Sequence, residues 1–358
     1  MDSSFKSAYV RIRVTASTLD VVAEGWRRVV GFPLGLLALL LATAAATLPA
    51  AMAVYASIQD DLGDSLIASK VAAGIDLRWW QEFAGQGGPG RSFYPTIIGG
   101  AAPVSTYSDL LDGMGPPMEA VGAIVPGLLL WMFLSGGLLD RYARRRRTGT
   151  RGFFGACGVF FFRFLRLGLL AAIAYAFLLG PFHWWLFDGL YPWITRETSV
   201  ERTGFVWRVV VYAIWLVPVL LVNLIVDYAK VRAVVEDRHS VIGAMVAAGR
   251  FVLRHPASVA GVYGVNAVIA AVVLLVYILV APGGRGGDWR LLAALAVGGA
   301  YLLARLAIRL AFLASAMTLV ERSFAHAEYT APPLPVWPDS PAAEAIENAA
   351  VVAGRAEG

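Results

Sequence analysis

Two hydrophobic patterns alternate along this chain, and they predict two kinds of helix. Apolar runs at about residues 32–56, with Pro33 in the first turn, 120–139, 167–187, broken near Pro181, 205–226, 257–280 and 289–321 are long enough to cross a hydrocarbon core about 30 Å thick. Between them lie stretches in which apolar residues recur every three, four or seven positions, the period of a helix with one greasy face.

The clearest two-sided stretch spans residues 227 to 256. Val231, Val234, Val241, Met245, Ala248 and Val252 fall on one stripe, whereas Lys230, Glu236, Asp237, Arg250 and Arg254 lie off it. One helix over 229–254, roughly 24 residues and about 36 Å long, is therefore expected on the membrane surface, ended by His255-Pro256. A second begins at Ser17, with Ser17 and Asp20 spaced as a capping box. Leu19, Val22, Trp26 and Val29 form its apolar stripe, opposite Asp20, Glu24, Arg27 and Arg28. Residues 150–166, rich in Gly and Phe, read as a third approach helix. Each precedes a pair of spans, so the chain reads as a weak threefold repeat of surface helix plus hairpin.

Composition agrees with the pattern and closes off the soluble classes: 58% hydrophobic residues, a mean hydropathy of +0.65 and 15% charge are far from a soluble domain of this size. The expected fold is all-α: a polytopic membrane protein with six transmembrane helices, cytoplasmic-side amphipathic helices and a small exported helical cap. Residues 1–329 would form one transmembrane domain. Residues 330–358, with Pro332, Pro333, Pro335 and Pro338 followed by an Ala- and Glu-rich end, read as a disordered cytoplasmic tail. The first apolar run resembles a cleavable leader, but about 31 residues precede it, and a retained span is the better reading. Cys157 is the one cysteine, which rules out an internal disulfide.

Charge then orients the spans. Segments 1–31, 140–166, 227–257 and 304 onward hold 22 of the 30 basic residues, which places both termini in the cytoplasm. The insertion at 57–119 carries Asp60, Asp61, Asp64, Asp76, Glu82, Asp109, Asp112 and Glu119 against three cations, as expected of an exported segment. There are 27 Arg and three Lys, alongside abundant Ala and Gly. This reads as a GC-rich bacterial genome, hence a bacterial cytoplasmic (inner) membrane. Arg144, Arg145, Arg146 and Arg147 are read as contacts to anionic lipid headgroups. Membrane lipids are the expected partners, with a membrane or cytosolic protein as a further one and no nucleic acid.

Candidate chemistry is sparse. Asp227, Arg305 and Arg309, with the intramembrane amides Asn223 and Asn266, form the candidate polar cluster, because charge inside a bundle is usually tolerated as an ion pair. His183 and Asp188 are close in sequence but lack a second pair of metal ligands. Gly85 to Gly90 spells G-x-G-x-x-G, yet no strand precedes it and Pro89 removes an amide a phosphate would need. No H-E-x-x-H or G-x-S-x-G occurs, and the four histidines are scattered. No catalytic residue, cofactor or metal is assigned.

The run Val234-Val235-Glu236-Asp237-Arg238-His239-Ser240-Val241-Ile242-Gly243-Ala244-Met245, continued to Pro256, with the helix-then-hairpin plan, resembles uncharacterised bacterial membrane proteins related to the membrane domain attached to some glycerophosphodiester phosphodiesterases. The resemblance covers mainly the second half. It implies a membrane module and transfers no catalytic residue, since the acidic and histidine cluster of the catalytic domain has no counterpart here. Function is therefore expected to be non-catalytic: transport, lipid handling or scaffolding. The alternatives are a permease-like subunit working with a separate ATPase, and a membrane-embedded enzyme.

Overall fold

The structure, a computed structural model, describes residues 17–63, 65–73, 76–86, 101–113, 118–144, 149–281 and 289–330. Those residues are helical with no strand among them, and they include six helical stretches long and apolar enough to cross a membrane. The protein is an all-α, multi-pass integral membrane protein. Contacts divide the chain into Met1–Val320 and Glu321–Gly358; in the second unit the described residues, 321–330, are helical.

The chain opens with α1 (Thr18–Val30). Its capping box is as expected: the Asp20 amide donates to Ser17 Oγ at 3.2 Å, and the Ser17 amide to Asp20 Oδ2 at 3.1 Å, a device worth about 1 kcal/mol. Gly31 ends the helix, and Pro33 sits in the first turn of α2 (Pro33–Leu62), where its missing N–H costs nothing. The cap follows as α3 (Ala68–Ala73), α4 (Leu77–Gly85) and α5 (Ala101–Leu111). Trp79, Trp80 and Phe83 are buried together against Ile58 and Leu62 of α2, and Trp79 Nε1 donates to Asp61 at 2.7 Å.

The remaining helices are α6 (Met118–Arg144), α7 (Thr150–Leu179), α8 (Pro181–Trp184), a π-helical turn (Trp185–Leu190), α9 (Tyr191–Thr195), α10 (Glu201–Val235), α11 (Val241–Arg254), α12 (Pro256–Val280) and α13 (Trp289–Thr330). Gly180 and Pro181 break the third span where expected. Residues 87–90 of the glycine-rich run, Arg145, Arg146 and Arg147, the glycine-rich residues 283–287 and the Pro-rich tail lie outside the described residues.

Two expectations about surface helices are corrected. Residues 229–254 are not one helix. The fourth span continues unbroken to Val235, and the chain then reverses into α11. Asp237 occupies the left-handed region at φ 45°, and the Arg238 amide donates back to the Ala233 carbonyl at 3.2 Å, the six-to-one bond of a Schellman cap. Ser240 then caps α11 by accepting from the Gly243 amide. The five-residue turn resets the helical phase, so the buried face of α11 is Ala244, Ala247, Ala248, Phe251 and Val252, not the stripe through Val241 and Met245. Residues 150–166 are likewise no separate helix; they are the first half of α7. The physical difference is proline. Pro33 and Pro256 each end a preceding helix by opening the next, and no proline interrupts 150–179, so a separate short helix precedes the span at two of the three expected places.

One end of the bundle is closed. On α1 the inward face is Val21, Val22, Gly25 and Val29, with Leu19 exposed, because Gly25 is the point of closest approach. A Cβ built there would lie 2.8 Å from the Ser315 backbone nitrogen of α13. Gly137 does the same for α6 against α7, where a Cβ would meet Cys157 Sγ at 2.6 Å. Small residues at crossings are what helix packing in lipid requires, since apolar tails give no hydrophobic drive between helices. The buried residues of α2, α6, α10, α12 and α13 (Leu39, Leu138, Tyr228, Val262 and Met317, for example) gather at this end. Towards the other end the spans leave Leu48, Met52, Ile124, Val209, Val272 and Leu295 exposed. The last span is the most enclosed of the six, with Leu310, Ala311, Leu313, Ala314, Met317 and Val320 buried: 61% of its apolar window is buried, against 11–33% for the other five.

The basic segments meet at the closed end. Arg28 Nη1 donates to the Tyr142 carbonyl at 3.3 Å, Arg141 lies 3.7 Å over the Phe32 ring, and Arg163 of α7 reaches the α10–α11 turn.

Candidate functional site

Helix α10 changes character at Val226. From Phe205 to Ile225 its exposed residues outnumber its buried ones, whereas residues 226–231 are all buried; a helix buried on every face has neighbours all round. This enclosed stretch carries Asp227 and, one turn on, Lys230, which are 1% and 5% exposed.

Asp227 is met by Arg309 from α13. Arg309 Nη1 donates to Oδ2 at 3.0 Å and Nη2 to Oδ1 at 2.9 Å, the two-pronged geometry that satisfies both oxygens at once. The Arg309 side chain keeps a third of its surface exposed, 33% against 1% for Asp227. Asn223, one turn before Asp227, donates to the Tyr263 hydroxyl of α12, so it joins the same cluster through Tyr263. Trp131 of α6 supplies a wall: Lys230 Nζ and the Arg309 guanidinium each lie 5.8 Å from its ring centroid.

The other candidates go elsewhere. Asn266 is fully buried, but its work is between helices: its Oδ1 accepts from Trp26 Nε1 at 3.2 Å, and its Nδ2 donates to the Val262 carbonyl at 3.0 Å and to Ser315 Oγ at 3.4 Å. That node holds α1, α12 and α13 together. Arg305 lines a small cavity of about 160 Å³ with Tyr107 and Tyr301. Arg144 is 65% exposed and paired with Asp140 at 2.8 Å. His183 is buried and hydrogen-bonded through Nε2 to the Leu111 carbonyl at 2.9 Å. Among the described residues no group of three His, Cys, Asp or Glu is placed to hold a metal ion.

Lys230 is the member that sequence reasoning missed, having been read as a polar-face charge. Its signal was its spacing: residues three apart share a helix face, so whatever buries Asp227 also encloses Lys230. Among the described residues Lys230 makes no salt bridge or hydrogen bond; it lies over the Trp131 ring and shares the charge of Asp227, which is already paired with Arg309. As charged groups, the cluster therefore holds two cations and one anion. Comparison with protein-family models, with characterised proteins and with solved structures finds no match for this chain.

Proposed function

We propose that this protein is a non-catalytic lipid-handling protein whose Asp227–Arg309–Lys230 cluster receives the anionic headgroup of a membrane amphiphile. The observation that carries the reading is the surplus cation: Lys230 is buried without a carboxylate of its own, next to an Arg309 that retains exposed surface. A buried charge left uncompensated costs several kcal/mol, roughly 3–5 when a pair is broken, and a phosphate or carboxylate arriving at Arg309 would supply the missing charge. Asp227 lies about 12 Å from the end of α10 by helical rise, a depth suited to a headgroup, while exposed apolar side chains of the spans such as Leu48, Val209 and Val272 offer a surface for acyl chains.

In this proposal the closed, basic end faces the cytoplasm of a bacterial inner membrane, where anionic lipids attract Arg144 and the arginines after it. Kinship with the membrane domain of the phosphodiesterases belongs to the same proposal and rests on residues 234–256. The test is lipid analysis of protein purified in mild detergent. Wild type should retain an anionic lipid that Lys230→Met loses while its melting midpoint is kept. Equal retention by Lys230→Met, or no bound anionic lipid in wild type, would overturn the reading in favour of scaffolding. Reporter fusions after Leu62 and after Arg144 should report opposite sides.

A further inference from the structure

At the end of the bundle away from α1, a cavity of about 740 Å³ opens between α5, the α8–π turn and α10, within the ~300–1,000 Å³ of small-molecule sites. Two carboxylates, Asp112 and Asp188, and one guanidinium, Arg208, line it together with Trp184, Phe187 and Tyr212. Among the described residues none of these three charges forms a salt bridge. The Arg208 guanidinium lies 5.2 Å from the Tyr191 ring centroid, and Tyr212 shares the lining with Asp112.

The walls are held in place from inside. His183 donates through Nε2 to the Leu111 carbonyl at 2.9 Å, stacks on Phe187 at 4.4 Å and meets Trp215 edge-on at 5.5 Å. That pins the end of α5 to the π turn. Gly113 is needed where α5 ends: its φ is +72°, and a Cβ there would lie 2.7 Å from the His183 ring. The wide π turn, a distortion common at functional sites, carries Phe187 and Asp188 into the lining.

We infer that this cavity binds an organic ammonium group, with Asp112 and Asp188 as counter-charges and the rings of Trp184, Phe187 and Tyr212 in its lining as aromatic walls. The lining has one more anion than cation, and its cation is already engaged with Tyr191, which disfavours an anionic ligand. A divalent metal is disfavoured because no three ligating side chains converge among the described residues. Aromatic faces beside carboxylates are the chemistry that holds alkylammonium ions. The inference stands apart from the lipid reading: Asp227 lies about four turns further along α10 than Tyr212, roughly 23 Å by helical rise.

Full-length protein in detergent, titrated with choline chloride and tetramethylammonium chloride, tests it, with sodium acetate as control. Choline should bind saturably and acetate should not. Asp112→Asn with Asp188→Asn should weaken binding about tenfold or more, the loss expected for a charge-assisted contact, and Trp184→Ala should weaken it as well. Both aspartates and Trp184 are exposed, so the unliganded melting midpoint should not move. Binding seen with the free ions marks a solute site; binding seen only in nanodiscs of phosphatidylethanolamine marks a lipid headgroup as the source. Undiminished binding in the double variant, preference for acetate, or no ammonium binding in either format overturns the inference.

Discussion

Arg309 closes both ends of its guanidinium on Asp227, at 3.0 and 2.9 Å, joining α13 to α10 across 82 residues of sequence. It is the one ion pair that either charge makes among the described residues, and the ring of Trp131 lies beside it.

Removing one partner should therefore cost more than removing the whole set. Asp227→Asn leaves Arg309 and Lys230 facing each other without a counter-charge, and we expect a loss of about 3–5 kcal/mol, read as a lower melting midpoint in detergent. The triple change Asp227→Leu, Lys230→Met, Arg309→Met should melt closer to wild type yet retain no anionic lipid. An Asp227→Asn protein as stable as wild type would sink the electrostatic account.

Asn266 predicts a second, separable effect. Asn266→Leu strands Trp26 Nε1 and Ser315 Oγ among apolar groups, for about 1–3 kcal/mol. A double-mutant cycle with Trp26→Phe should show coupling, because the two residues share the 3.2 Å bond. Additive losses would mean that the bond contributes nothing measurable.

Gly25 sets how closely α1 can approach. Gly25→Val pushes a side chain into the Ser315 backbone and should cost about 1–3 kcal/mol, with faster hydrogen exchange along α1. Gly155→Val, where a Cβ would meet nothing within 4 Å, is the control and should exchange like wild type.

The α10–α11 turn carries a pH signature. Arg163 donates to Asp237 at 2.7 Å, and its other arm lies 2.9 Å from His239 Nδ1. The hydrogen bond from Arg163, then its charge, hold the Asp237 carboxyl below its ordinary value, with His239 and Arg144 adding to the effect. A depressed folded value means that the tie is fully present above the unfolded carboxylate pKa, about 3.9, and is lost as pH falls through the folded one. The difference in melting midpoint between wild type and Arg163→Gln should thus be constant above about pH 5 and shrink below about pH 4. A difference that grows on acidification would contradict the assignment.

Much of the architecture is a local property and could be read from the residues. The Ser17–Asp20 cap, the breaks at Pro33, Pro181 and Pro256, and six apolar spans follow from backbone donors, ring constraints and the length of a bilayer crossing. The interior of the site is different. Periodicity says that Asp227, Lys230, Arg305 and Arg309 sit on particular helix faces, but which faces meet depends on the rotation and neighbours of helices far apart in sequence. Only the packed bundle gave Asp227 to Arg309, sent Arg305 to another cavity and turned Asn266 towards Trp26. The reversal at Asp237 was hidden for a related reason: aspartate enters the left-handed region more readily than most residues but still seldom, and here that conformation is held by a Schellman bond and by Arg163, 74 residues away.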